Sequence, residues 1–370
     1  MSLYQSKILF NSNIFLNKET IKGVSLFSNV GIAETYIQNH KIDIVVANEL
    51  LEKRAKFYKE IHKNCDMICG DITNKYIFNE ILSKSQEYKC DFLIATPPCQ
   101  GMSIAGKMDE NDPRNSLIKY VIEFIKKLKP SNIIIENVQG MLKTYLFIDG
   151  NKIKIIDYIE KELSPLGYFI NYDIVDCAYY ETPQSRKRAI FLISKINKWE
   201  FPLKKEKITV KDAISFLPTL ESGESSSIPF HNAKIHNDRH KLWLKHTPTG
   251  KTALDNEVYY PKKECGTKIK GYSTTYKRIE WDKPAPTITM ANGSISSQNN
   301  VHPGRLKNDG TYSDARVLTL KEIFILTGLP DNWKPPTWAT DNLIRQVIGE
   351  GIPPKLIDNL LTTIPKVENE

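Results

Sequence analysis

The chain has 370 residues, enough for one large domain and one smaller one, because a single core rarely grows beyond about 250 to 300 residues. It carries 51 Lys and Arg against 43 Asp and Glu, a net charge of +8, which suits a polyanionic partner without requiring one. No run of about 18 apolar residues occurs, so we expect no membrane span. The 6 cysteines are irregularly spaced and follow no secretory signal, so we expect a cytoplasmic protein without a disulfide framework or a metal site.

Short apolar runs alternate with amphipathic stretches over residues 1–200. This pattern is typical of strands buried in a parallel sheet and of the helices that connect them. It predicts an α/β fold with a doubly wound, mostly parallel sheet. The predicted strands are 24–28, 42–47, 67–69, 92–95, 132–136, 168–175 and 189–194, with helices at 49–61 and 117–128.

The pattern changes near residue 201, where turn-forming and polar residues dominate. We expect a second, smaller, irregular β-rich domain over 201–315, with short extended pieces such as 287–290. Basic residues outnumber acidic ones in its first eighty residues, which indicates either a nucleic-acid surface or an ordinary solvated one. Helical spacing returns at 319–326 and 355–364, so the segment 316–370 should end in a helix that packs back on the first domain.

Polar residues follow the first three predicted strands, where open parallel sheets bind their ligands. The turn 27–31 contains Gly31, which lets the backbone approach a ligand closely. Glu49 could accept both hydroxyls of a ribose, and Asp71 could accept an adenine amino group. Each is also an ordinary turn or helix-start residue. Together they indicate a nucleoside cofactor.

The strongest segment is Pro97, Pro98 and Cys99 at the end of the fourth strand. Two prolines stiffen the backbone before the thiol, and a loop flanked by Pro, Gln and Gly does not suit an inert buried cysteine. We therefore interpret Cys99 as a nucleophile. The polar loop 101–115 that follows could close over a substrate.

Charged residues mark two further strand ends. Glu136 follows the apolar run 133–135, which brings a carboxylate to the edge where Cys99 lies. Arg186 and Arg188 precede the last strand at alternate positions and so could point to one side. The alternative for this basic segment is a simple solvated edge.

These segments resemble, in order and over nearly the whole chain, the motifs of the cytosine carbon-5 DNA methyltransferases of the bacterial modification type. Pro97 to Gln100 resembles the nucleophile motif, Glu136 to Val138 the ENV motif, and Gln184 to Arg188 the QxRxR motif. Segments 316–322 and 326–330 resemble the ninth motif, and 346–354 the tenth. The resemblance implies the Rossmann-like fold of S-adenosylmethionine-dependent methyltransferases.

The resemblance also implies a set of cofactor-binding residues for S-adenosylmethionine. These are Phe27, Ser28, Val30, Gly31, Glu49, Leu50, Asp71, Ile72, Pro98, Leu117, Glu350 and Gly351. The chain departs from the family pattern in two places. Asn29 and Ile32 stand where the first motif has further glycines, and Glu350 stands where the tenth motif has asparagine.

The implied chemistry is covalent catalysis at a flipped cytosine. Cys99 would attack carbon 6, Glu136 would hydrogen-bond ring nitrogen 3 and the amino group, and Arg188 with Arg186 would supply positive charge. The enzyme would modify duplex DNA as part of a restriction-modification system, as a monomer, with a companion endonuclease. The alternatives are a tRNA cytosine-5 methyltransferase and a catalytically inactive DNA-binding regulator.

DNA contacts are predicted in two places. Gln100 and Ser103 follow the nucleophile, and the domain 201–315 would read sequence as a target recognition domain. There Lys277, Arg278 and Asn292 are candidates for DNA contact, since Arg can pair with guanine and Asn with adenine. For Arg278 a phosphate contact or a pair with Glu280 is an equal alternative. Phosphate contacts are expected from Lys262, Lys263, Lys268 and Lys270.

Overall fold

A computed structural model describes residues 20–98, 116–148 and 150–367. Its strands are β1 (Ile21–Leu26), β2 (Ile42–Glu49), β3 (Asp66–Cys69), β4 (Phe92–Ala95), β5 (Asn132–Val138), β6 (Tyr145–Ile148), β7 (Asn151–Lys154), β8 (Phe169–Asp176) and β9 (Lys187–Ser194). Seven of them form one sheet in the order β3-β2-β1-β4-β5-β9-β8. The pairs from β3 to β5 are parallel, whereas β9 is antiparallel to both β5 and β8. The predicted fold class and all seven predicted strands are confirmed.

The helices of the described residues are α1 (Glu52–Ile61), α2 (Lys75–Glu87), α3 (Leu117–Leu128), α4 (Ile155–Leu163), α5 (Val210–Ile214), α6 (Asp238–Lys245), α7 (Leu320–Thr327), α8 (Asp341–Glu350) and α9 (Pro354–Leu361). Helix α3 has its predicted bounds. It is followed by Lys129, whose left-handed φ of 57° ends the helix and turns the chain toward Pro130. Helix α1 begins three residues later than predicted, because Leu51 is still extended. No helix among the described residues is long and apolar enough to cross a membrane.

Alternating side chains of the central strands supply two cores, one on each face of the sheet. Leu93 and Ala95 of β4 pack with α2 and α3, whereas Phe92 and Ile94 face the other side. That second face is covered by α9, which buries Leu356, Ile357, Leu360 and Leu361 there. The last helix of the described residues, α9, therefore packs on this sheet.

Residues 201–315 have little regular structure apart from α5 and α6. Trp243, Leu244, Tyr276, Ile295 and Val301 share a small core there. Backbone pairing in this region consists of isolated bridges, so its β content is lower than expected, and 287–290 forms no ladder. The β6–β7 hairpin, just after β5, was not predicted.

Candidate active site

The site lies at the carboxyl ends of the parallel strands. Because β9 runs antiparallel to β5, its first residues lie beside the last residues of β5, with Arg188 opposite Val138. A cavity of about 1140 Å³ opens at this edge. The predicted site residues that line it are Phe27, Ser28, Glu49, Leu50, Asp71, Ile72, Pro98, Leu117, Glu136, Arg186, Arg188, Glu350 and Gly351.

The turn after β1 has an unusual backbone. Phe27, Asn29 and Gly31 have φ values of 59°, 51° and 77°, in the left-handed region that favours glycine. A Cβ on Gly31 would also overlap the His62 ring. Both the backbone angle and the lack of space therefore favour glycine at this position. Val30 points into the core beside Ile32, and neither Val30 nor Gly31 is among the lining residues that the structure describes. The predicted cofactor contacts of Val30 and Gly31 therefore stay predictions, and the buried Val30 side chain packs in the core.

Glu49 is buried at the end of β2 and is held by two backbone amides. The N–H of Asn29 donates to Oε2 and the N–H of Leu51 donates to Oε1, both at 2.9 Å. Each carboxylate oxygen has a further lone pair, so Glu49 can still accept hydrogen bonds from a ligand. Next to it, Leu50 and Leu51 leave 58% and 47% of their surface exposed, which offers an apolar surface beside the carboxylate.

The end of β3 is fastened to β2 by the Asn48 side chain. Its amide donates to the carbonyls of Ile68 and Gly70, both at 3.0 Å. Asp71 comes next, and its Oδ1 accepts the N–H of Thr73 at 2.9 Å. Asp71 is exposed, and it lines the cavity together with Ile72.

Two side chains hold the segment that leads to the predicted nucleophile. The Thr96 hydroxyl donates to the carbonyl of Phe27 at 2.9 Å, and the Asn137 amide donates to the carbonyl of Pro97 at 3.0 Å. The Asn137 oxygen in turn accepts the N–H of Val138 at 2.8 Å. The second residue of the ENV segment thus fixes the backbone two positions before Cys99. Cys99, Gln100 and Ser103 themselves lie outside the described residues.

Glu136 and Arg188 form a buried ion pair in which Nε lies 2.8 Å from Oε1. Burial raises the pKa of the Glu136 carboxyl, and the Arg188 and Arg186 guanidinium groups offset part of that rise. A carboxyl in this environment can hold a proton at a higher pH than an exposed glutamate can. Arg188 also donates to its neighbour's carbonyl, that of Lys187, at 2.7 Å.

Arg186 is buried and joins three parts of the chain. Its Nη1 donates to the carbonyls of Ile288 and Gly349 at 3.0 Å, and its Nη2 donates to that of Glu350 at 3.2 Å. Arg186 therefore positions the start of β9, the segment after residue 285 and the end of α8, besides placing positive charge near Glu136.

Two of the predicted DNA contacts are wrong. Arg278 is fully buried, and its guanidinium donates to the carbonyls of Leu244, His302, Ser313 and Asp314. Asn292 is 1% exposed and donates to the carbonyls of Thr289 and Arg345. Neither buried side chain is accessible to a base, and the buried Arg278 guanidinium is not available for a phosphate either. Among the described residues it forms no ion pair with Glu280. Lys277 is half-buried, whereas Lys262, Lys263, Lys268 and Lys270 are exposed.

The structure brings other residues of this region to the cavity. Thr289, Met290, Gln298 and Asn299 line it together with Glu136 and Arg188. The backbone of Asn299 donates to Thr274 at 2.8 Å, and Gln298 pairs with Thr275 in a bridge. Sequence reasoning missed these residues; the only signal was a run of amide and hydroxyl side chains at 296–300.

Comparisons with known proteins agree with this geometry. The family model of the C-5 cytosine-specific DNA methylases matches residues 21–366. The chain is 51% identical over 353 residues to the Type II methyltransferase M1.HgaI of Avibacterium volantium, covering 94% of this chain and 99% of that one. It is 26% identical to the Type II methyltransferase M1.HphI of Haemophilus parahaemolyticus, over 98% and 93% of the two chains. The solved structure of a prophage-encoded DNA modification methyltransferase from Escherichia coli has the same fold, with a TM-score of 0.67 at 18% identity over 93% and 98% of the chains.

Proposed function

The chain belongs to the C-5 cytosine-specific DNA methylase family, and from this premise we propose that it methylates carbon 5 of a flipped cytosine through a covalent bond to Cys99. The enzyme is a DNA cytosine-5 methyltransferase of the Type II restriction-modification kind. The observation that carries the mechanistic proposal is the buried pair of Glu136 and Arg188 beside Asn137, whose side chain fixes the backbone leading to Cys99.

The cavity residues fit S-adenosylmethionine as the methyl donor, which the family implies. Glu49 offers two oriented carboxylate oxygens for the ribose hydroxyls, Asp71 offers an acceptor for the adenine amino group, and Leu50 offers an apolar surface for the base. Backbone at residues 27–31 and at Gly351, together with the side chains of Pro98, Leu117 and Glu350, would complete the site. When bound, this cofactor supplies an electrophilic methyl group.

The protein's own residues then act on the cytosine. The Cys99 thiolate forms a bond to carbon 6, which raises electron density at carbon 5, a carbon that is otherwise a poor nucleophile. Glu136 donates a proton to ring nitrogen 3 and accepts from the amino group, while Arg188 neutralises charge that develops on the carbonyl oxygen. After carbon 5 has gained the methyl group it loses its proton to water, and the electron pair left behind expels the Cys99 thiolate. Ring nitrogen 3 returns its proton to Glu136, which regenerates the acid.

This chemistry requires the cytosine to leave the stacked duplex. The recognition region, residues 201–315, supplies the wall of the cavity that would face DNA. We assign base contacts to the carboxamides of Gln298 and Asn299, because an amide can pair with two groups on a base edge. The exposed lysines Lys262, Lys263, Lys268 and Lys270 would contact phosphates, whereas Gln100 and Ser103 remain predictions beyond the described residues.

The cellular setting is inferred from the relatives. We propose a bacterial cytoplasmic enzyme that works as a monomer on duplex DNA, with a companion endonuclease that cuts unmodified copies of the same sequence. Within residues 316–370, α9 would serve the catalytic domain, because it covers one face of that domain's sheet. Helix α7 of the same segment packs against α5 of the recognition region.

Bisulfite sequencing of plasmid DNA from cells that express the protein tests the proposal. We expect protected cytosines at one recurring sequence with the wild type and none with Cys99→Ser. Methylation of bulk tRNA in preference to duplex DNA, or a trapped fluorocytosine adduct at another cysteine, would overturn it.

A further inference from the structure

The order of the strands locates the methionyl end of the cofactor, given the proposed function. The strands β3, β2, β1 and β4 are neighbours in that order. Asp71 after β3 would take the adenine and Glu49 after β2 the ribose, while the methyl group must reach the cytosine beside Pro97 after β4. The methionyl chain therefore lies over the end of β1, where Asn29 lines the cavity.

Asn29 presents an unused acceptor at this place. Its side-chain Nδ2 donates to the carbonyl of Val347 in α8 at 3.3 Å. A carbonyl can only accept, so this contact fixes which end of the amide is the oxygen. Among the described residues the Oδ1 atom is buried and has no hydrogen-bond partner. A buried acceptor without a donor is costly, so a donor brought by the ligand would be favoured here.

Glu350 keeps that acceptor oriented. Its Oε2 lies 2.5 Å from Nη2 of Arg54 in α1, and its Oε1 accepts from Gln346 at 3.4 Å. These bonds hold the last turn of α8, and with it the Val347 carbonyl, against the cofactor cavity. Two of the three residues that depart from the family pattern, Asn29 and Glu350, are thus linked through the last turn of α8.

We propose that the Asn29 side chain accepts a hydrogen bond from the α-ammonium group of S-adenosylmethionine. The methionyl end carries one donor, the ammonium, and one acceptor, the carboxylate, and only the donor complements an amide oxygen. The carboxyl of Glu34, which also lines the cavity, is already engaged by the hydroxyl of Tyr58. A glycine at position 29, as in the family pattern, provides no such acceptor.

Calorimetry with two ligands tests this assignment without relying on activity. The ligands are S-adenosylhomocysteine and its analogue that lacks the amino group. The variant Asn29→Gly suits the left-handed backbone at this position, so it should fold. Lys129→Gly is the matched control, since it removes a side chain from an equally left-handed position at the end of α3.

We expect the wild type and Lys129→Gly to prefer the amino ligand by about tenfold or more, the usual effect of a hydrogen bond to a charged group. Asn29→Gly should lose most of that preference while it binds the deaminated analogue as the wild type does. An undiminished preference in Asn29→Gly, or an equal loss of both ligands, overturns the assignment. Failure of the wild type to bind S-adenosylhomocysteine at all would instead refute the proposed cofactor site, and the assignment with it.

Discussion

Replacing Arg278 should damage folding and leave the choice of DNA sequence intact. The guanidinium makes five hydrogen bonds to four main-chain carbonyls, at 2.7 to 3.3 Å. At about 1 kcal/mol of net stabilisation per bond, and with buried carbonyls left unpaired, Arg278→Ala should lose about 3 to 5 kcal/mol of unfolding free energy. A marginally stable protein would lose a large part of its stability in this way.

Urea denaturation followed by tryptophan fluorescence measures the loss of unfolding free energy. Trp243 is a suitable reporter because it lies in the same small core as Leu244, whose carbonyl accepts two hydrogen bonds from Arg278. The neighbouring variant Lys277→Ala is the control and should change stability by less than about 1 kcal/mol, as expected for a partly exposed residue with no buried network. Methylation of a randomised duplex library at low temperature gives the second readout. A stable Arg278→Ala protein with relaxed sequence preference would refute the structural role and restore Arg278 as a base contact.

Cys99→Ser should reduce methylation by several orders of magnitude and abolish the adduct with a fluorocytosine duplex, while calorimetry shows near-normal S-adenosylhomocysteine binding. Glu49→Gln should weaken that binding by about 1 to 3 kcal/mol, and unchanged affinity would place the ribose elsewhere. Because burial raises the pKa of Glu136, the methylation rate should fall as pH rises through that pKa and the acid loses its proton; Glu136→Gln should be slower and lack this alkaline decline in a pH-rate profile. Gln298→Ala or Asn299→Ala should relax the target sequence at one position in the library assay, whereas a uniform loss on all sequences would show that they do not contact bases.

The fold of residues 1–200 could be predicted because burial of the central strands determines both their apolar sequence and their place in the sheet. The run 133–135 is apolar because β5 is buried on both faces, and Glu136 is conspicuous because a charge follows that run. The same reasoning located the turn after β1 and Glu49. The antiparallel direction of β9 was not in the sequence pattern, although it brings Arg188 to the site.

The recognition region could not be predicted in this way, because its backbone lacks continuous ladders. Many carbonyls there have no strand partner, and buried polar groups must be paired. Side chains supply the missing donors: Arg278 serves four carbonyls of this region, Asn292 serves that of Thr289, and Arg316, which directly follows the region, serves that of Leu220. In sequence, such structural side chains look the same as side chains that read DNA.

The position of Arg186 limits how recognition specificity can be exchanged between relatives. The Arg186 guanidinium binds the main-chain carbonyls of Ile288, Gly349 and Glu350. Residues 286–290 are therefore held against the start of β9 and the end of α8. The assigned base contacts at 298–299 come after this segment, and the basic loop at 262–270 comes before it. A transplanted recognition region should therefore be grafted as two pieces, ending at residue 285 and resuming at 291, around a short stretch that stays with its original host.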